Sequence, residues 1–149
     1  MVVNTATFLA DTIILIRNDL RDNVTDPIKT SRPDDCRFAM TSYPKRKAVY
    51  PLITIKDINI SSSRLGMQSE SDRIDMVIEV RIWAKNVAQR DELFGSVYNR
   101  MRENQFGTKS TTTNGLHDFS LLSAVNVNEE GAEGIKSKVM EIGYLFIAE

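Results

Sequence analysis

The chain has 149 residues, of which 42% are apolar, and a formal charge of −1, which argues against a protein held to nucleic acid mainly by bulk charge. Its single cysteine, Cys36, excludes an intrachain disulfide framework and a cysteine-rich zinc module, and its single histidine, His117, excludes the common sites built from several histidines. The length predicts a single domain over residues 1–149.

The first predicted element is an amphipathic helix over residues 6–23, with Thr5 as the expected N-cap. Its apolar stripe follows i, i+4, i+7, i+11 spacing and consists of Leu9, Ile13, Ile16 and Leu20. Asp19 falls within this stripe, and Ile14 lies off it. No basic residue precedes the apolar run, so the start of the chain does not fit a secretory signal. No stretch approaches the ~20 apolar residues of a membrane span, and no membrane partner is expected.

A polar, proline-containing connection follows the helix, with a short strand predicted at residues 37–41. Three basic residues then stand between Tyr43 and Tyr50: Lys45, Arg46 and Lys47. Cationic side chains between aromatic rings can hold phosphates and stack on bases. The pattern fits a solvated loop, a DNA contact or a contact with an acidic partner.

Residues 52–60 are predicted to form a strand with a break in its phase. Ile53 and Ile55 share one face, whereas Ile58 and Ile60 share the other. A β-bulge near residues 56–57 explains this break, as does a strand that passes from one apolar environment into another.

The clearest strand covers residues 73–85, where apolar and polar side chains alternate for about 12 residues. At ~3.3 Å per residue it spans ~40 Å, about the width of a compact domain of this size. With residues 52–60 it predicts a long antiparallel hairpin whose tip is residues 61–72. The edges of such a hairpin invite pairing with another chain.

A second helix is expected after Asn86, which is a good N-cap with Gln89 three residues later, and to end before Gly107. Residues 107–115 are predicted to be a flexible loop, and residues 116–127 and 136–148 to be two antiparallel strands. Because the last strand is apolar on both faces, it belongs inside a sheet or under a helix.

The elements predict an α+β fold in the order α-β-β-β-α-β-β, with helices on one side of a mostly antiparallel sheet. The chain shows no regular strand–helix alternation of the kind that builds a doubly wound parallel sheet.

No motif points to catalysis, a metal or a cofactor. His117 and Asp118 are adjacent on a strand, so they face opposite ways and cannot form a base with its orienting carboxylate. Cys36 is expected to be a packing residue. The carboxylates Glu70, Asp72 and Asp75 lack the glycine and the final glutamate of an EF-hand, which favours a solvated hairpin tip. The sequence therefore predicts a protein that is not an enzyme.

The order of segments nevertheless resembles a known family. An N-terminal helix and a proline-bounded basic stretch lead into YPLITIKDINI, followed by the strand RIDMVIEVRIWAKN, the helix NVAQRDELFGSVYNRMREN and a closing strand pair. This pattern resembles the tail terminator proteins of long-tailed bacteriophages, also called tail-to-head joining or tail completion proteins. The resemblance covers most of the chain, and its strongest part is the strand ending in RIWAKN with the helix that follows at once.

The resemblance implies a structural virion protein, assembled in the host cytoplasm, that forms a ring, commonly a hexamer, on the end of the tail tube. Its partners would be further copies of itself, the tail tube protein, a connector of the head and neck, and DNA passing through the ring. The expected subunit or tube contacts are Arg64, Leu65, Met67, Glu70 and Asp72, and Lys45, Arg46 and Lys47 are expected to face the DNA channel or an acidic partner. Other neck or head-completion proteins and a small nucleic-acid-binding module are the alternatives.

Overall fold

The computed structural model describes residues 3–34, 36–44, 48–68, 70–103, 115–128 and 134–148. Its elements are α1 (Phe8–Asn23), β1 (Ala39–Met40), β2 (Leu52–Arg64), β3 (Asp72–Ala84), α2 (Val87–Glu103), β4 (His117–Asn128) and β5 (Lys136–Ala148). The predicted class and element order are confirmed. No helix in the described ranges is long and apolar enough to cross a membrane.

The five strands form one sheet in the order β1-β2-β3-β5-β4. Every neighbouring pair is antiparallel except the short pairing of β1 with the start of β2, which is parallel. The hairpin of β2 and β3 is longer than the sequence predicted, since residues 61–64 and Asp72 belong to its strands. Its tip is therefore residues 65–71. The polarity of residues 61–63 predicts a loop, yet these serines pair along β3 as an exposed ladder.

The alternation of β3 places its even-numbered side chains on the face that both helices cover. This row is buried throughout and consists of Ile74, Met76, Ile78, Val80, Ile82 and Ala84. It joins side chains of both helices in one apolar cluster. At about 25 cal/mol per Å² of apolar surface removed from water, this cluster is the main source of stability.

A β-bulge explains the phase break in β2. Asp57 pairs with Ile78 and Asn59 with Val77, so Ile58 is the extra residue and its side chain is exposed. Beyond the bulge, Ile60 lies opposite Met76 and packs against the core. Of the two explanations that the sequence left open, the bulge is the one that the pairing shows.

The helix starts follow from local hydrogen bonds. The expected cap of α2 is confirmed, because the Gln89 amide donates to Oδ1 of Asn86 at 2.8 Å. The expected cap of α1 is wrong: Thr7, not Thr5, precedes the first helical residue. The hydroxyl of Thr7 donates to Oδ2 of Asp11 at 2.7 Å, and a turn between Asn4 and Thr7 delays the helix.

Asp19 lies in the apolar stripe of α1 because it has a charged partner on α2. The guanidinium of Arg100 donates to both of its carboxylate oxygens, at 2.7 and 3.1 Å. Asn23 adds an amide donor at 3.1 Å. A buried carboxylate is tolerated only with such partners, so this pair links the two helices.

Strand β5 lies inside the sheet as predicted, between β3 and β4. Four of its even-numbered side chains are buried under the helix layer: Met140, Ile142, Tyr144 and Phe146. The opposite side chains, including Val139 and Leu145, are half-buried, because no described element covers that face. The strand is thus apolar on both faces but covered on one.

Tyr144 of β5 carries a polar hydroxyl into the apolar core. Its hydroxyl is buried and has no hydrogen-bond partner within the described ranges. Burial raises the pKa of Tyr144, and the nearby Asp19 adds to the rise, so the phenol stays neutral. Tyr144→Phe removes a buried polar group that gains no bond, and we expect the free energy of unfolding in urea to stay equal or rise by about 1 kcal/mol. A loss of more than about 1 kcal/mol would show that the hydroxyl is bonded in solution.

Candidate functional site

The distal end of the β2–β3 hairpin, residues 64–72, holds the five predicted contact residues and is called the hairpin end below. Arg64 is the last residue of β2 and lies opposite Asp72, the first of β3. The backbone amide of Leu65 donates to the carbonyl of Ser71 at 3.1 Å and closes the turn. The strand ladder therefore positions this end.

The hairpin end carries two exposed apolar side chains within a polar turn. Met67 is 98% exposed and Leu65 is 52% exposed. Arg64 and Glu70 are exposed as well, and Asp72 is half-buried. An exposed methionine and leucine side by side with charged groups are typical of a surface that meets a protein partner.

A charged pair lies directly below the hairpin end. Arg73 and Asp75, two residues apart on β3, approach to 3.2 Å on the face away from the helices. The hydrogen bond that Arg73 donates to Asp75 raises the pKa of its guanidinium. Both groups are exposed, so the pair adds little stability. The pair places one positive and one negative group beside the turn.

The opposite end of the sheet carries an aromatic patch, defined by Tyr43, Tyr50, Trp83 and Arg81. The rings of Tyr43 and Trp83 are 4.8 Å apart, and the guanidinium of Arg81 lies 4.2 Å from the Trp83 ring centre. The hydroxyls of Tyr43 and Tyr50 are hydrogen-bonded to each other. Burial and this bond raise the pKa of Tyr50.

The three basic residues predicted to meet DNA or an acidic partner, Lys45, Arg46 and Lys47, lie outside the described residues. The tyrosines on either side of them belong to the aromatic patch. Trp83 pairs with Leu52 at the start of β2, twelve residues before Arg64. At ~3.3 Å per residue, the aromatic patch and the hairpin end are roughly 40 Å apart. The aromatic patch and the hairpin end thus occupy opposite ends of the sheet.

The residues weighed for chemistry are not brought together. His117 is exposed at the start of β4. Cys36 is buried, and its sulfur accepts a hydrogen bond from the Val49 amide at 3.2 Å, as fits a packing residue. In the described ranges no three residues of the types histidine, cysteine, aspartate and glutamate are grouped so that they could hold a metal ion.

Sequence reasoning missed the exposed apolar side chains of β4: Leu121, Leu122 and Val125. It also missed the contact of Arg81 with Trp83, although both stand on the odd-numbered face of β3. The signal for β4 was present in its composition, since His117–Asn128 contains one formally charged side chain and no proline. A strand of that composition at a sheet edge is unusual.

Comparison with solved structures found a similar fold. A chain from the structure described as "Virion of native gene transfer agent (GTA) particle" superimposes with a TM-score of 0.61 at 13% sequence identity. The match covers 94% of this chain and 98% of that one. The two chains share a fold. No protein-family model matches the sequence, and no curated protein does.

Proposed function

We propose that the chain is a structural virion protein that forms a ring, a hexamer, on the end of a phage-type tail tube. The ring ends polymerisation of the tube and offers the surface that joins the tail to the head. The observation that carries the proposal is the fold shared over nearly the full length of both chains with a protein of a virion particle. At 13% identity this supports the architecture, and the tail role rests on the segment pattern of the sequence.

The shape of the subunit supports a part with two different neighbours. The exposed Leu65 and Met67 lie at one end of the sheet, and the aromatic patch lies about 40 Å away at the other. A subunit that joins a tube to a neck needs separate contact regions of this kind. In this proposal the hairpin end meets the tube or the next subunit.

The basic residues Lys45, Arg46 and Lys47 fit the same arrangement. Flanked by Tyr43 and Tyr50, they would face the channel through which DNA passes or an acidic partner in the neck. The formal charge of −1 is suited to a conduit, because a strongly basic lining would hold DNA through its phosphates. No cofactor is part of the proposal.

Deleting the gene for this chain from the genome that encodes the particle tests the terminator role. Without a terminator the tube keeps polymerising, so electron microscopy should show tails longer than those of the parent, and expression of the intact chain in trans should restore their length. Particles with normal attached tails would contradict the proposal.

A related role in the neck is the second candidate, because the similarity concerns a whole virion and does not name a position in it. A head-completion connector would leave tail length unchanged when deleted, and filled heads would accumulate beside detached tails. The same deletion therefore separates the two roles.

A further inference from the structure

Two strand edges of this sheet are open in the described part of the chain. β4 is the last strand of the sheet and pairs only with β5. On the other side, β1 covers only Ile53 and Thr54 of β2, so residues 59–64 pair with β3 alone. Each edge presents a row of backbone amides and carbonyls that another strand can bind.

Most of the exposed apolar side chains lie on the two strands that carry these edges or in the turn after β2. Eight large apolar side chains are exposed in the described ranges, three of them on β4 and three on β2 or the turn after it. Val125 of β4 is 56% exposed. Of these eight side chains only Val125 lies within a regularly paired edge stretch, so it is the open backbone of the two edges that indicates that both are covered in the assembled protein.

The edges also lack most of the usual protection against strand pairing. In β4, bulges disturb the ladder between His117 and Ser123, whereas Ser123–Asn128 pairs regularly with β5 and carries no charge. In β2, the regular stretch Asn59–Arg64 has a single charge, at its end. Lysines, prolines and bulges normally blunt such edges. These two regular stretches have equal length, six residues each.

The direction of the strands makes the two edges complementary. Three successive antiparallel pairings, β2 with β3, β3 with β5 and β5 with β4, mean that β2 and β4 run in opposite directions. A second copy that continues the sheet would therefore place its β2 antiparallel to the β4 of the first. Because residues 123–127 lie level with residues 52–56 and not with Asn59–Arg64, the second copy is also displaced along the strands. Contacts between two different surfaces of the same protein generate a closed ring when the rotation closes.

We infer that copies of this chain assemble head to tail by antiparallel pairing of the β4 edge of one subunit with the free β2 edge of the next. The inference rests on the proposed ring and names the contact that builds it. A two-fold contact of β4 with β4 would leave the β2 edge and its exposed side chains open, whereas the head-to-tail contact covers both edges of every subunit.

Two lysine substitutions in the purified full-length chain test the pairing. Val125→Lys charges the β4 edge, and Ser61→Lys charges the β2 edge opposite Asp75. Each is expected to raise the dissociation constant for self-association by about tenfold or more, measured by analytical ultracentrifugation, because a charge must be desolvated in the new sheet. Val87→Lys is the matched control, since Val87 is 48% exposed on α2, and it should assemble like the wild type. Thermal melting checks that all three variants fold.

Mixing the two variants gives the sharper result. Each retains one intact edge, so the mixture should form a one-to-one complex and stop there. Dimers of Ser61→Lys alone would indicate pairing of β4 with β4 and overturn the inference. Rings that persist in both variants would also overturn it and leave the proposed function intact. A wild-type chain that stays monomeric up to about 1 mM would overturn the edge pairing, while the tail-length experiment would still decide the function.

Discussion

Replacing residues 65–71 by an Asn-Gly turn is expected to abolish ring assembly and tail capping while the fold stays intact. Arg64 and Asp72 are directly opposite each other, so a two-residue turn can connect them and close the hairpin. The turn removes Leu65 and Met67, which contribute no packing to the core. We expect the free energy of unfolding to change by less than about 0.5 kcal/mol. Negative-stain imaging of the purified chain and tail lengths after complementation measure the loss.

Two further variants separate the side chains of the hairpin end from its length. Leu65→Ser with Met67→Ser keeps the native turn and should reproduce most of the defect. Val87→Ser removes an exposed apolar side chain on α2 and should have no effect. Normal rings and normal tails in the chain with the shortened turn would show that the hairpin end makes no essential contact.

Arg32→Met is expected to lower the free energy of unfolding by about 3 kcal/mol. The Arg32 side chain is 6% exposed, and its guanidinium donates to both carboxylate oxygens of Asp26, at 2.5 and 3.0 Å. It also donates to the carbonyl of Val49 at 3.1 Å and to that of Pro51. The methionine leaves a largely buried carboxylate and two carbonyls without this donor. Urea unfolding followed by circular dichroism measures the change.

Arg32→Lys distinguishes the charge from the shape of the donor. A lysine keeps the positive charge but lacks the planar fork, so we expect a loss of about 2 kcal/mol rather than full rescue. Arg37→Met, at an exposed arginine in the same segment, should stay within about 0.5 kcal/mol of the wild type. Equal stability of Arg32→Met and Arg37→Met would show that the hydrogen bonds of Arg32 do not stabilise the fold.

The hydrogen bonds of Arg32 also bear on the aromatic patch. Arg32 joins the connection after α1 to the residues just before β2, because Asp26 lies on one side of it and Val49 on the other. Tyr50, between these two acceptor carbonyls, belongs to the aromatic patch. Loss of these bonds should therefore also disturb the position of Tyr50 in the aromatic patch.

Local patterns in the sequence predicted most elements because their causes are local. The alternation in β3 reports which side chains leave water: every even-numbered residue from Ile74 to Ala84 is buried, while on the other face Glu79 is buried as well. Asn86 capped α2 as expected, since the cap bonds an amide three residues away. The start of α1 was misjudged because Thr5 and Thr7 are both good caps, and the turn from Asn4 selects the second.

The site was predicted less completely than the fold. The turn between β2 and β3 lies within the stretch predicted for it, although it is shorter, because a polar stretch between two long strands is a turn signal. The aromatic patch was only half visible, since Trp83 and Arg81 come from a strand more than thirty residues after Tyr43. The open edge of β4 was not visible at all, because an edge is a property of strand order.

The sequence alone was sufficient for the α+β class, the long hairpin and the charge balance, which depend on periodicity and composition within short windows. Only the tertiary structure showed that β5 inserts between β3 and β4, that Asp19 is paired with Arg100, and that two open edges stand at opposite sides of one sheet. Those features join residues far apart in the chain. Their free energies depend on which surfaces meet, and no local pattern of side chains records that choice.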